Sequence, residues 1–120
     1  ADSYAQALSA GAPVLLPQIT SIATSLGARQ VCGRAFDLAR EHPIESVVVS
    51  DAAAVAACED VLLEHRILVE PACGASVAAL RSGSALLREA RSVVVILCGG
   101  VGVTAGQLAQ WSAQFAAPAR

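Results

Sequence analysis

One stretch limits what this chain can fold into more than any other: Val93-Val94-Val95-Ile96-Leu97-Cys98-Gly99-Gly100, six apolar residues running straight into two glycines. A strand wet on one face alternates polar and apolar residues, and this one does not. An unbroken β-branched run bounded by glycine is the pattern of a strand covered on both faces, as in the middle of a parallel sheet. Ligands of such sheets sit beyond the carboxyl ends of the strands. Cys98, Gly99 and Gly100 therefore stand where a ligand would be met.

With 120 residues the chain suits one domain with a real core. It is 55% hydrophobic and 15% charged, against about 45–50% and about 25% in an average domain. Tyr4, Phe36, Trp111 and Phe115 are its only aromatic residues, so the core must be Ala, Val, Leu and Ile. A surface so poor in charge implies cover by another chain, a second domain or a membrane. Ser3 to Ala28 and Ser92 to Ala119 carry no charge, but proline, glycine and polar residues interrupt both. Neither holds the roughly 20 consecutive apolar residues of a membrane span, and no signal-peptide pattern opens the chain. We therefore expect a cytoplasmic protein with no membrane contact.

The eight basic residues are all arginine, and the net charge is −2. Nucleic-acid binding has no basic patch to rest on. Without a lysine, Schiff-base chemistry is closed to this chain alone. Without a methionine, position 1 is not a natural start, and a longer protein is expected. Cys32, Cys58, Cys73 and Cys98 lie far apart with no C-x-x-C pattern, which suits neither zinc nor a disulfide framework. Buried free thiols are the simplest expectation.

Apolar runs alternate with helical patterns along the chain. Ser3 to Ala10 reads as a short helix stopped by Gly11 and Pro13, and Val14 to Ile19 as a loop or poor edge strand because of Pro17. Thr20 is placed to cap a helical turn over Ser21 to Leu26. Gly33 to Glu41 is helical with Phe36 and Ala39 inward, and Pro43 ends it. Val47 to Val49 predicts a strand. Ser50-Asp51 opens an amphipathic helix whose stripe is Val55, Cys58 and Leu62. Ile67 to Val69 predicts another strand, followed by a small-residue helix from Pro71 to about Arg81. Ser82 to Glu89 is a loop or short helix, and Thr104 to Phe115 is the last helix. The order predicts an α/β fold with a largely parallel sheet.

Three features offer chemistry. Gly100-Val101-Gly102-Val103-Thr104-Ala105 matches the G-x-G-x-x-A pattern of a dinucleotide turn between strand and helix. No Asp or Glu follows it to bind a ribose, so a tight turn with some anion contact competes with a nucleotide-binding module. Glu70, at the carboxyl end of a strand, is either a pocket acid or one held by backbone N–H groups. Cys98 is a nucleophile, a weak hydrogen-bond donor into a pocket, or a core thiol; no His lies near it in sequence. A non-catalytic interaction domain packing its helices on a partner is the third functional class.

Leu16-Pro17-Gln18-Ile19-Thr20-Ser21-Ile22-Ala23, Ser25-Leu26-Gly27-Ala28, Glu41-His42-Pro43-Ile44 and Val49-Ser50-Asp51 belong together as a set. So do Ile67-Leu68-Val69-Glu70-Pro71-Ala72-Cys73-Gly74-Ala75 and Val95-Ile96-Leu97-Cys98-Gly99-Gly100. In this order they resemble the liver-type L-serine dehydratase/L-threonine deaminase family, over about residues 1 to 110. The resemblance implies a three-layer parallel-sheet architecture, fold type II of the pyridoxal 5'-phosphate enzymes (tryptophan-synthase-β-like), with residues 1–120 as the C-terminal part of the cofactor-binding domain. It implies a lyase that converts L-serine or L-threonine to a 2-oxo acid and ammonia by β-elimination. The family's Schiff-base lysine, its Ser-x-Gly-Asn loop and its phosphate loop all lie upstream of the matching region, so this segment alone is expected to be inactive.

Residue by residue, the resemblance implies that Cys98 meets the pyridine nitrogen, that Gly99 and Gly100 admit the ring edge, and that Glu70 is an acid near the cofactor. A thiol is a weak proton source, so the ring nitrogen would stay largely neutral, which favours prompt β-elimination. The backbone carbonyls of Ala1, Leu26 and Ala28 match ligands of a monovalent cation, K+ by preference. A homodimer is implied as well. After Cys98-Gly99-Gly100 the family continues with polar residues, where this chain has Val101-Gly102.

Overall fold

The computed structural model describes residues 2–116. The chain folds as two compact units, one up to Val48 and one from Val49 onward.

In the first unit, α1 spans Ser3–Ala10 and α2 spans Gly33–Glu41. Gly11 ends α1 in a left-handed conformation (φ 68°) that returns its N–H to Leu8 O. The α2 helix buries Phe36 and lays the Arg40 guanidinium 4.7 Å from that ring. It stops because His42, preceding Pro43, is held extended at φ −134°, ψ 153°. Between the helices, Leu16 N–H donates to Arg29 O and Arg29 Nε to Leu16 O, both at 2.8 Å, closing a loop. The predicted turn from Ser21 is only a 3-10 turn over Thr24–Leu26. Thr20 does not cap it; Ser21 Oγ instead accepts the N–H of Ala23 at 3.1 Å.

In the second unit, α3 spans Asp51–His65, α4 Pro71–Ala78, α5 Ala85–Glu89 and α6 Ala105–Phe115. A 3-10 turn, Ala79–Arg81, prolongs α4. Ser50 caps α3 by accepting the Ala53 N–H at 3.2 Å, and Thr104 caps α6 through Gln107 N–H at 3.1 Å. Pro71 occupies the first turn of α4, where its missing N–H costs nothing. The α3 face buries Ala54, Val55, Ala57, Cys58 and Val61; Leu62, expected in the stripe, is only half-buried. The reason is Gly74. A Cβ there would overlap Ala54 O and Cys58 Sγ, so α4 comes down on the small-residue side of α3 and pulls the buried face toward the alanines.

The three predicted strands form no ladder: Val47–Val49, Ile67–Val69 and Val93–Leu97 carry no strand assignment among the described residues. One backbone bond joins the ends of the last two runs, Glu70 N–H to Gly99 O at 3.1 Å. Nor is the 93–97 run covered on both faces. Val94 and Ile96 are 90% and 73% exposed, while Val93 and Leu97 are 47% and 41% exposed. The alternation is that of an extended run with one side partly covered. A parallel strand takes its hydrogen bonds from neighbours on either side, and among the described residues those neighbours are not in place. No helix among the described residues is long and apolar enough to cross a membrane.

Candidate functional site

The carboxyl ends of the two apolar runs meet, and they bring the sequence-predicted residues together. Glu70 N–H donates to Gly99 O, and Glu70 O accepts from Cys73 and Gly74 N–H at 2.9 Å each, so the first turn of α4 is pinned against the glycine pair. Gly100 lies flat on the preceding run. A Cβ at 100 would overlap Leu68 O and come within 3.0 Å of Val69 Cα. These are backbone atoms that cannot swing aside, so only glycine fits. Gly99 holds φ 151°, which side-chain-bearing residues rarely adopt. The chain then turns, Val103 N–H closing onto Gly100 O at 3.2 Å, and enters α6.

Glu70 is half-buried, and its carboxylate does not cap α4. Of the two roles open to it from sequence, the acid held by backbone N–H groups is therefore not the one realised. Cys98, one residue before the pair, is exposed, as is Cys32. The expectation of buried thiols holds only for Cys58 and Cys73. All four thiols are free. Burial pushes the Cys58 thiol up to about 11, the nearby Cys73, Glu59 and Glu70 adding to the effect against the Gly74 N–H. It is thus held protonated and inert at neutral pH, whereas Cys98 faces outward beside the glycines. His42 and His65 are exposed at helix ends.

The G-x-G-x-x-A turn does follow an apolar run and does open a helix, as a dinucleotide fingerprint should. Its anion position is compromised by the neighbours. The Thr104 hydroxyl already takes the Gln107 N–H, and the Glu70 carboxylate lies against Gly102. A fixed negative charge beside the turn repels a pyrophosphate. The expected cation ligands lie in the first unit. Leu26 O accepts the Ala28 N–H at 2.9 Å, and Ala28 O accepts the Ser3 hydroxyl at 2.8 Å. Each carbonyl keeps a second lone pair. Ala1 lies outside the described residues.

Leu68 and Gly74 carry much of this geometry, and neither is a chemical residue. A glycine inside a helical pattern was the signal for Gly74; the close approach at Leu68 O has none.

Comparison with known proteins identifies the family and the fold. The model of the family "Pyridoxal-phosphate dependent enzyme" matches residues 1–99. The "Serine dehydratase-like" protein of Mus musculus is 47% identical over 96% of this chain and 37% of its own length. The "L-serine dehydratase/L-threonine deaminase" of Bos taurus is also 47% identical, over 90% of this chain and 36% of its own. Among solved structures, a fungal L-serine ammonia-lyase from Rhizomucor miehei superposes with a TM-score of 0.87 at 26% identity, over 96% of this chain and 38% of that one. Maize serine racemase gives 0.80 at 29%, over 95% and 36%. The fold is that of the fold-type II pyridoxal-phosphate enzymes, in part. The chain belongs to the pyridoxal-phosphate dependent enzyme family, and within it resembles the serine dehydratases. It spans little more than a third of the length of these relatives.

A pyridoxal-phosphate ring would find residues here that suit it: a backbone without side chains at 99 and 100 beside Glu70, with the exposed Cys98 next in the chain.

Proposed function

We propose that this chain is the C-terminal part, residues 1–120, of the cofactor-binding domain of a pyridoxal-phosphate-dependent dehydratase acting on L-serine or L-threonine. The single observation that supports it best is the contact of Gly100 on the Leu68–Val69 backbone. That contact brings Glu70-Pro71-Ala72-Cys73-Gly74 and Cys98-Gly99-Gly100, the two most specific segments of the resemblance, to one spot.

Pyridoxal phosphate, when bound, supplies an electron sink for the amino acid's α-carbon. This chain's residues set the surroundings of that sink. The Cys98 thiol would offer the cofactor only a weak hydrogen bond while keeping its proton, and so would leave the group a moderate sink, which suits elimination. Gly99 and Gly100 would leave room for the ring beside the backbone, and Glu70 would set a negative charge at the pocket's side. With no lysine in the sequence, the covalent anchor and the α-proton base come from the remainder of the protein, and this segment by itself is inactive. Carbonyls of Ala1, Leu26 and Ala28 contribute to a monovalent-cation site, K+ by preference. The working enzyme is a cytoplasmic homodimer.

The test is direct. Full-length protein is titrated with pyridoxal phosphate, and the visible absorption of bound cofactor is followed before and after L-serine. A band that changes with serine, with pyruvate and ammonia formed in equal amounts, is the expected result. Absence of cofactor binding in the full-length protein would sink the proposal.

A further inference from the structure

Gly102 has no side chain, and the space a side chain would fill is already taken. A Cβ built there lies 2.9 Å from Glu70 Oε2, and among the described residues no other atom outside its chain neighbours comes within 4 Å. The glycine is not demanded by its backbone, since Gly102 is not among the residues with positive φ. Nor is it demanded by core packing, for the turn at 101 and 102 is exposed. What it leaves room for is one carboxylate.

Glu70 has its backbone fixed from both sides, by Gly99 O on its N–H and by two α4 N–H groups on its carbonyl. Its carboxylate makes no hydrogen bond or ion pair among the described residues. With the backbone fixed and no partner for the carboxylate, side-chain torsions and the free volume around them decide where the charge stands. Resting on the functional reading above, we infer that Gly102 is a positioning residue: it holds open the slot from which the Glu70 carboxylate faces the cofactor. Among the described residues a methyl group at 102 meets Glu70 and nothing else beyond its chain neighbours, so it would act on the site through that carboxylate. That makes the pair separable by a double-mutant cycle.

The experiment uses full-length protein in four forms: unsubstituted, Gly102→Ala, Glu70→Ala and the double variant. Pyridoxal-phosphate affinity is measured by titration. Gly102→Ala and Glu70→Ala are each expected to weaken binding about tenfold, the scale of one contact to a charged group. The double variant is expected to be no weaker than Glu70→Ala alone, since the slot then holds no carboxylate to displace. Losses that multiply, or a Gly102→Ala protein that binds like the unsubstituted one, overturn the inference. A second readout needs no cofactor: the carboxyl 13C resonance of Glu70 in apo protein at one fixed pH. Gly102→Ala should move that resonance, and an unmoved resonance counts against positioning. Thermal unfolding of Gly102→Ala should match the unsubstituted protein; a lowered Tm would overturn the claim that the methyl meets only Glu70. If no form binds cofactor, the functional reading fails, and the apo resonance still decides the role of Gly102.

Discussion

The α3–α4 pair and the 93–98 run belong to the same compact unit and are similarly apolar, yet only the first is complete within this chain. In the helices every interior N–H finds its acceptor four residues back, and the close approach at Gly74 buries Ala54, Ala57 and Cys58 almost wholly. In the run the backbone must borrow its partners from other segments, and Val94 and Ile96 stand out into solvent. Composition therefore does not decide which apolar segment is finished; the range of its hydrogen bonds does. A chain spanning about 37% of its relatives' length can complete its helices while leaving its sheet open. An exposed apolar face of this kind is an interface in waiting.

The sharpest way to break the comparison is Ile96→Asp in the full-length protein. If the remainder of the protein covers the open face, a carboxylate there is buried without a partner, and stability falls by about 3 kcal/mol or more. The midpoint of urea denaturation measures it. An unchanged midpoint would mean that the run is solvated in the whole protein, and its contrast with the helices would lose its cause. On the helical side, Gly74→Ala places a methyl into Ala54 O and Cys58 Sγ, and overpacking of that kind costs about 1–3 kcal/mol. Ser76→Ala, on the same helix but exposed, is the control expected to change nothing measurable. Equal effects at the two positions would show that α3 and α4 part easily.

What could be foreseen follows the same division. The helices α1, α2 and α4 were legible because their stop and start signals are local: Gly11 after α1, Pro43 after α2 and Pro71 opening α4; α6 was read one residue long, from Thr104, which caps it instead. The stripe of α3 was half legible. Val55 and Cys58 stand out in sequence, but Ala54 and Ala57 are too small to mark a face, and only the approach of Gly74 explains why Val61 replaces Leu62. That no ladder forms was not foreseeable from the runs themselves, because period and branching say that a segment wants to be a strand, not whether its neighbours are present. In the candidate site, Glu70, Gly99 and Gly100 were singled out from their place at the ends of apolar runs, and the structure brings them side by side. Gly102 was absorbed into a nucleotide-like pattern, since a one-dimensional motif records that a side chain is missing and not what occupies its space. Cation-binding carbonyls leave no trace in sequence at all, because every residue has one.

The smallest expected effect refines the comparison inside the helical half. Ser50 and Thr104 make the same kind of cap, at 3.2 Å and 3.1 Å respectively, but they open helices with different support. The α3 helix packs against both α4 and α6, so its first turn is tied into the core of the unit. Ser50→Ala should therefore lower global stability by about 1 kcal/mol, read from the denaturation midpoint. The first turn of α6 follows the open run and leaves Ala105, Gly106 and Gln107 exposed. Thr104→Ala should instead speed amide exchange at Gln107 while moving the midpoint less than Ser50→Ala does. A midpoint shift as large for Thr104 as for Ser50 would mean that the turn after Gly100 is as firmly built as the helix pair. The boundary between the finished and the open halves would then lie before Cys98 rather than after it.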